Sequence, residues 1–375
     1  MTDGSFLDVL EELIRTVVDP AAADVDTNGT FPRPAVTALG ERGLLGLLSS
    51  ADVGGLGGSL ADAAAVVRRL AASCGSTAMV VCMHYCATAV IEQHGPDQVR
   101  RAIASGRHLS TLAFSETGSR SQFWAPLGTA ATDGSDVVLD ASKSWVTSAG
   151  EADSYVWTSR PTTGADGASM WLVPADAAGL KVAAPFDGLG LRGNASSPVV
   201  ASGVRVPATA RLGDDGGGLD IALGVVLPVF QILNASCSLG LMDAAIGKVI
   251  GHVTTARFEH LDQTLADQPV VRQHVAHMKN RADAASVLVD DAVVALGSGR
   301  ADAPLRMLQA KGVAGETALD VLDLAMRVGG GAAFRKDIGI ERHFRDARAS
   351  AVMAPTVDAL QDFIGRALCG MPLFG

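Results

Sequence analysis

Cysteine is sparse in this 375-residue chain, and the few present follow no pattern. Cys74, Cys82, Cys86, Cys237 and Cys369 are odd in number and lack a framework spacing, which argues against a disulfide-stapled scaffold and for a reducing cytoplasm. A basic excess is also missing. Thirty basic residues against 40 acidic ones leave a net charge of -10, and no block of lysine or arginine could cradle a phosphate backbone. Nucleic acid and anionic membrane are therefore not expected as partners. Met1 to Glu12 carries acids in place of the basic start of a secretory leader, and a cytoplasmic protein is expected.

The common catalytic and nucleotide signatures are absent as well. Gly54-Gly55-Leu56-Gly57-Gly58 does not fit G-x-G-x-x-G and follows a helical run, and Gly329-Gly330-Gly331 also follows a helix, so neither glycine run is a Rossmann fingerprint. G-x-x-x-x-G-K-[ST], H-E-x-x-H and G-x-S-x-G do not occur. Cys82 and Cys86 share a helix face that His84 does not, and His274 with His277 lacks a third ligand, so no metal site is expected.

What is present is apolar surface. Hydrophobic residues make up 48% and charged ones 19%, enough for a large core, and the length calls for more than one subdomain. The uncharged runs Leu70–Ile91 and Ile221–Met242 each reach the roughly 20 residues of a bilayer span. Both carry polar residues and neither has flanking basic and aromatic anchors on the membrane pattern, so both read as buried core helices.

Residues from Phe6 to about Ser105 have helical punctuation. From Leu109 to about Leu212 short β-branched and aromatic runs alternate with Gly/Asp/Ser/Pro clusters: Thr111–Phe114, Val137–Leu139, Trp145–Thr147, Tyr155–Thr158, Trp171–Val173 and Val199–Val206. After Gly216-Gly217-Gly218 the text is helical again. Leu319, Leu322 and Met326 form a stripe that the Gly329–Gly331 run should stop, and Val357, Leu360, Ile364 and Leu368 form another. Helices, then strands, then helices predict an α+β protein and argue against a doubly wound parallel sheet. The expected divisions are 1–108, 109–215 and 216–375.

Several landmarks resemble the acyl-CoA dehydrogenases in their order and spacing. They are Gly43–Gly46 with Gly54–Gly57, Phe114–Ser121, Lys143–Gly150, Leu189–Gly193, Val204–Pro207 with Leu212-Gly213, and Arg345-Asp346-Ala347-Arg348 leading into Val352–Asp358. The resemblance covers nearly the whole chain. It implies an N-terminal helical domain, a middle β-barrel-like domain and a C-terminal four-helix bundle. It also implies FAD, with Phe114, Ser115, Trp145 and Thr147 at the ring and Ser121 toward the cofactor or the substrate's phosphate-bearing arm. A flavin ring that gains negative charge around N1 and the C2 oxygen needs donors and an apolar plane, and these residue types provide them. Read without the surrounding tract, Trp145 would be a core aromatic of a strand.

For the pyrophosphate, the family's arginine falls on Arg257, and its glutamine, supplied by a neighbouring subunit, falls on Arg327 before Gly330 and Gly331. Phe258-Glu259-His260-Leu261 departs from the family's Phe-Gly. Thr356 keeps the signature threonine, and Asp358 replaces a glutamate. A shared site of this kind implies at least a homodimer, and the family's usual homotetramer is expected.

The family's catalytic glutamate falls on Ala354, and the alternative station used by a minority falls on Phe230, next to Gln231. None of these side chains takes a proton. The expected substrate pocket comprises His84, Tyr85, Phe230, Gln231, Met353 and Ala354. Three functions stay open: an FAD-dependent oxidoreductase on an acyl thioester of coenzyme A or a carrier protein, a flavin monooxygenase on the same fold, and a non-redox scaffold. The first two require an electron acceptor or a flavin reductase as partner.

Overall fold

Apolar residues at helical spacing produce six α-helices at the start of the chain: α1 Ser5–Leu13, α2 Asp19–Asn28, α3 Arg33–Glu41, α4 Leu60–Ser73, α5 Gly75–His94 and α6 Asp97–Ala104. The computed structural model describes residues 5–119 and 122–373. The run Leu70–Ile91 is not one helix, because α4 ends at Ser73 and α5 begins at Gly75.

Eight strands follow: β1 Ser110–Ala113, β2 Thr129–Asp133, β3 Asp136–Val146, β4 Ser154–Ser159, β5 Ser169–Pro174, β6 Leu180–Val182, β7 Ser197–Pro207 and β8 Arg211–Leu212. They form two four-stranded sheets in the orders β1-β4-β5-β8 and β2-β3-β7-β6. Only β1 and β4 pair in parallel; the remaining pairs are antiparallel. The two runs expected around Val137 and Trp145 belong to one strand, β3, whose register against β7 shifts twice.

The remaining elements are α7 Gly218–Ile221, α8 Leu227–Thr255, the small hairpin β9 Arg257–Phe258 with β10 Gln263–Thr264, α9 Pro269–Ser298, α10 Ala303–Ala333, α11 Ile340–Val352 and α12 Val357–Leu368. α10 packs on α9, α11 and α12. Its helical path breaks at Gly330 (φ 54, ψ -137), within the Gly329–Gly331 run expected to stop it, and a short helical stretch continues to Ala333. Among the described residues, Gly218–Thr255 alone is a helix long and apolar enough to cross a bilayer, and 67% of its apolar window is buried within the protein.

The backbone groups into two compact units. One holds the described residues of Met1–Val66, Met79–Gly188 and Arg192–Phe230; the other holds those of Val67–Ala78, Leu189–Leu191 and Gln231–Gly375. Within the first, helices and strands are tied across the boundary expected at 108. His84 is fully buried on α5; its Nε2 faces the Leu45 carbonyl oxygen at 3.1 Å, and its Nδ1 accepts from the Ser110 backbone N–H at 3.1 Å. Tyr85, equally buried, donates its hydroxyl to the Leu44 carbonyl at 2.6 Å. Both direct their polar atoms at the backbone, as core residues must when buried.

The two sheets are joined by a buried ion pair. Glu116 follows β1 and bridges to Lys143 on β3, with Lys143 Nζ 2.6 Å from Glu116 Oε1. The same ammonium donates to the Thr158 carbonyl (2.7 Å) and hydroxyl (2.8 Å) on β4 and lies over the Trp157 ring. The other Glu116 oxygen accepts from the backbone N–H groups of Leu127 and Gly128, at 2.5 and 2.9 Å. Gly128 has no room for a side chain, because an added Cβ would lie 2.5 Å from the Ala141 Cβ and 3.0 Å from Glu116.

Two consequences are measurable. Lys143→Met leaves a carboxylate buried without its cation, which should cost about 3–5 kcal/mol in urea unfolding; a loss below about 1 kcal/mol would show that the pair does not hold the sheets. Burial lowers His84 to about 4 from its ordinary value. Since the unfolded chain binds that proton near pH 6.5, stability from neutral His84 is complete above that pH and is lost as pH falls through 4. The effect is roughly 3 kcal/mol. His343 is lowered in the same direction, so the test compares His84→Gln with the parent: the variant's unfolding midpoint should fall less steeply between pH 7 and 4 (roughly the titrating span).

Candidate active site

In the first unit, the functional edge is built where β3 leaves its sheet. The register shift between Lys143 and Val146 falls on Trp145, whose φ of 56° is rare for a bulky residue. Lys143 before it and Val146 after it are buried, so the chain can satisfy both only by turning the indole outward. Trp145 is 71% exposed and meets Phe186 edge to face at 6.4 Å. A core aromatic it is not. Phe114 and Ser115 lie half-buried just beyond β1, held beside β3 by the Ser144 N–H donated to the Ser115 carbonyl at 2.9 Å.

Buried hydroxyls continue the edge. Thr147 Oγ1 is 3.1 Å from Ser196 Oγ, and Ser148 donates its backbone N–H to the Asn194 carbonyl. The Ser148 Oγ is buried with no hydrogen-bond partner among the described residues. An exposed indole, a half-buried phenyl ring and an unspent hydroxyl suit a flat aromatic group with a polar edge, so the donor set fits the ring of FAD. Ser121 lies outside the described residues.

In the second unit, Ala354 sits between α11 and α12 on a segment fixed from beneath. Lys311, fully buried on α10, donates to the carbonyls of Ser350 (3.3 Å), Met353 (3.1 Å) and Pro355 (2.6 Å). Burial lowers its ammonium to about 7. Thr356 caps α12, its hydroxyl oxygen accepting from the Ala359 N–H at 3.2 Å, and Asp358 is exposed in the first turn, where the helix dipole favours a carboxylate.

The Arg345–Arg348 run is also structural. Asp346 accepts the Leu191 N–H at 2.6 Å, Arg345 donates to the Leu189 carbonyl at 3.2 Å, and the Arg348 guanidinium covers the Phe344 ring at 4.1 Å. Gly190 is required there, since a Cβ would lie 2.4 Å from the Arg345 carbonyl oxygen.

α8 brings polar groups to the same segment. Gln231 is fully buried, and neither its amide oxygen nor its nitrogen has a hydrogen-bond partner among the described residues. Asn234, one turn on, donates Nδ2 to the Met353 sulfur at 3.2 Å, while its Oδ1 is likewise unpartnered. Phe230, 8% exposed, precedes them on the helix.

The residues expected at the pyrophosphate are exposed. Arg257 is exposed on β9 and paired with Asp262 at 2.5 Å; the Phe258–Leu261 departure is accommodated by the β9–β10 hairpin. Arg327, Gly330 and Gly331 are exposed at the end of α10.

Sequence reasoning did not find three features: the Glu116–Lys143 pair, the anchoring role of Lys311, and Asn234. Asn234 carried a signal, an amide inside an uncharged run, where burial demands a partner.

The chain matches three family models: acyl-CoA dehydrogenase N-terminal domain over residues 3–106, middle domain over 111–204 and C-terminal domain over 216–369. It is 26% identical over 369 residues to a probable acyl-CoA dehydrogenase, YngJ, of Bacillus subtilis, covering 96% of both chains. Butyryl-CoA dehydrogenase from Megasphaera elsdenii has the same fold, with a TM-score of 0.91 at 22% identity, covering 98% of this chain and 99% of that one. The prolyl acyl carrier protein oxidase AnaB matches with a TM-score of 0.88 at 19% identity, covering 98% of this chain and 100% of that one. With the domains in register along nearly its whole length, this chain belongs to the acyl-CoA dehydrogenase family.

Proposed function

We propose that the chain is an FAD-dependent oxidoreductase acting on an acyl thioester, carried by coenzyme A or a carrier protein, whose proton acceptor is not residue 354. The observation that supports this most directly is the outward-turned Trp145 beside the buried Thr147 and Ser148 hydroxyls. Phe114, Ser115, Trp145 and Thr147 would hold the flavin ring, with Ser148 as a further donor. When bound, FAD supplies a two-electron acceptor for hydride. Arg257 and Arg327 are the cations available to its pyrophosphate. The Arg257–Asp262 pair is exposed and worth under about 1 kcal/mol, so releasing the guanidinium costs little. The likeness to a carrier protein oxidase supports the carrier-protein form of the substrate.

Around position 354 this chain's own residues orient substrate and do not take its proton. Ala354 offers a methyl group, Met353 a thioether, and Gln231 and Asn234 amides, none basic at neutral pH. Lys311 spends its ammonium on three carbonyl oxygens and keeps the segment in place. The same methyl favours a second reading, a flavin monooxygenase, whose reaction requires no acceptor for the α-proton. A homotetramer, or at least a homodimer, goes with either reading, as does an electron acceptor or flavin reductase.

The test is anaerobic titration of the purified yellow protein with acyl thioesters. Bleaching of the flavin absorbance is expected. Bleaching only by a reductase with NADH, followed by oxygen incorporation into product, would favour the monooxygenase, and a colourless protein that takes up no FAD would defeat both. Ala354→Glu restores a carboxylate at the family's station and should raise the bleaching rate by about 10²-fold, the lower range for a positioned general base. No gain would mean that the thioester α-carbon does not lie at that position.

A further inference from the structure

The long buried run of α8 contains two kinds of polar residue. Ser236 and Ser238 donate their hydroxyls to carbonyls one turn back on their own helix, Ile232 at 2.8 Å and Asn234 at 3.2 Å. Gln231 and Asn234 do not. Three amide atoms, Gln231 Oε1 and Nε2 and Asn234 Oδ1, are buried with no partner among the described residues, although Gln231 is 0% and Asn234 1% exposed. Such groups are rare in folded proteins, because each bears its full desolvation cost. Among the described residues His343 also has two such atoms, its ring nitrogens, while Gln231 and Asn234 place three within one turn of α8.

Their placement is also specific. Positions three apart share a helix face, so Gln231 and Asn234 point the same way from α8. Asn234 is fixed there by its Nδ2 contact with Met353, the residue before Ala354. The two amides therefore lie beside the segment that carries the family's reacting position.

We propose that Gln231 and Asn234 form a recognition pair for a neutral hydroxyl group on the acyl chain of the substrate, close to the thioester. This deepens the acyl-thioester reading above and rests on it. The unspent atoms are two acceptor oxygens and one amide nitrogen donor. A hydroxyl both donates and accepts, so it satisfies the nitrogen and one of the two oxygens together. A carboxylate would face two acceptor oxygens without a cation, and a plain alkyl chain would leave all three atoms unpaired. The pair thus selects a hydroxyacyl over an acyl thioester, because a site built to bond a hydroxyl rejects the analogue that lacks it.

The test uses the FAD-loaded protein and two pantetheine thioesters, butyryl and 3-hydroxybutyryl, on the arm common to coenzyme A and carrier proteins. Dissociation constants are measured by calorimetry for the parent, Gln231→Met and Asn234→Leu, together with melting temperatures. The parent should bind the hydroxyacyl form at least about ten-fold more tightly, and each variant should bring the ratio to within about two-fold. Each should also raise the melting temperature by roughly 2–4 °C, since an unpaired buried amide is replaced by an apolar group of similar size. A purely structural amide would lower it. Equal binding of both thioesters by the parent, or a preference kept in both variants, overturns the recognition pair alone. Failure of the parent to bind either thioester overturns the acyl-thioester reading and the pair with it.

Discussion

Lys143 is a charged side chain with no exposure, and its position determines what the edge of the β-region can present. A buried pair such as Glu116–Lys143 is poor evidence for stability in itself, because desolvation of two ions offsets most of their attraction. What it imposes is placement. The ammonium must reach Glu116 beyond β1 and Thr158 on β4 while its own backbone stays on β3, so two sheets are held in one relation. With Lys143 turned inward and Val146 turned inward three residues later, a strand's strict alternation cannot continue. The bulge absorbs the mismatch, and Trp145 is the residue left outside.

The second unit separates framework from chemistry in a similar way. The signature around Ala354 keeps the residues that shape the segment. Asp346 receives the Leu191 amide, Thr356 caps α12, and Lys311 gathers three carbonyls below. The one position that would do chemistry in relatives carries a methyl group. A fold can retain its scaffold contacts while the reacting group changes, because those contacts answer to packing and hydrogen bonding and not to the reaction.

That separation explains which parts were legible in the sequence. The order of helices, strands and helices, and the strands around Tyr155, Trp171 and Val199, followed from β-branched and aromatic runs. β2, β6 and β8 did not: Thr129–Asp133 is mostly exposed, Leu180–Val182 lies on an edge, and Arg211–Leu212 has only two residues. The reading of β3 as two strands failed because a bulge interrupts the pattern without ending the pairing. The resemblance puts His84 and Tyr85 at the pocket, while their carbonyl and amide partners, far off in sequence, are not legible from composition. Those same bonds join helices to strands within one unit, where the sequence suggested a boundary.

The same long-range accounting gives α8 its meaning. Composition alone cannot tell Ser236 or Ser238 from Gln231 or Asn234, since all four are polar residues in an uncharged run. Reach tells them apart. A serine hydroxyl on a short stem returns to its own helix backbone, whereas an amide on a longer stem projects away from it. At His84 each ring nitrogen has a partner. By that standard, two amides with three unspent atoms beside Met353 are a standing cost to the folded chain. Leucine or methionine would fill the same space without it, and the proposed contact with a substrate hydroxyl would offset that cost.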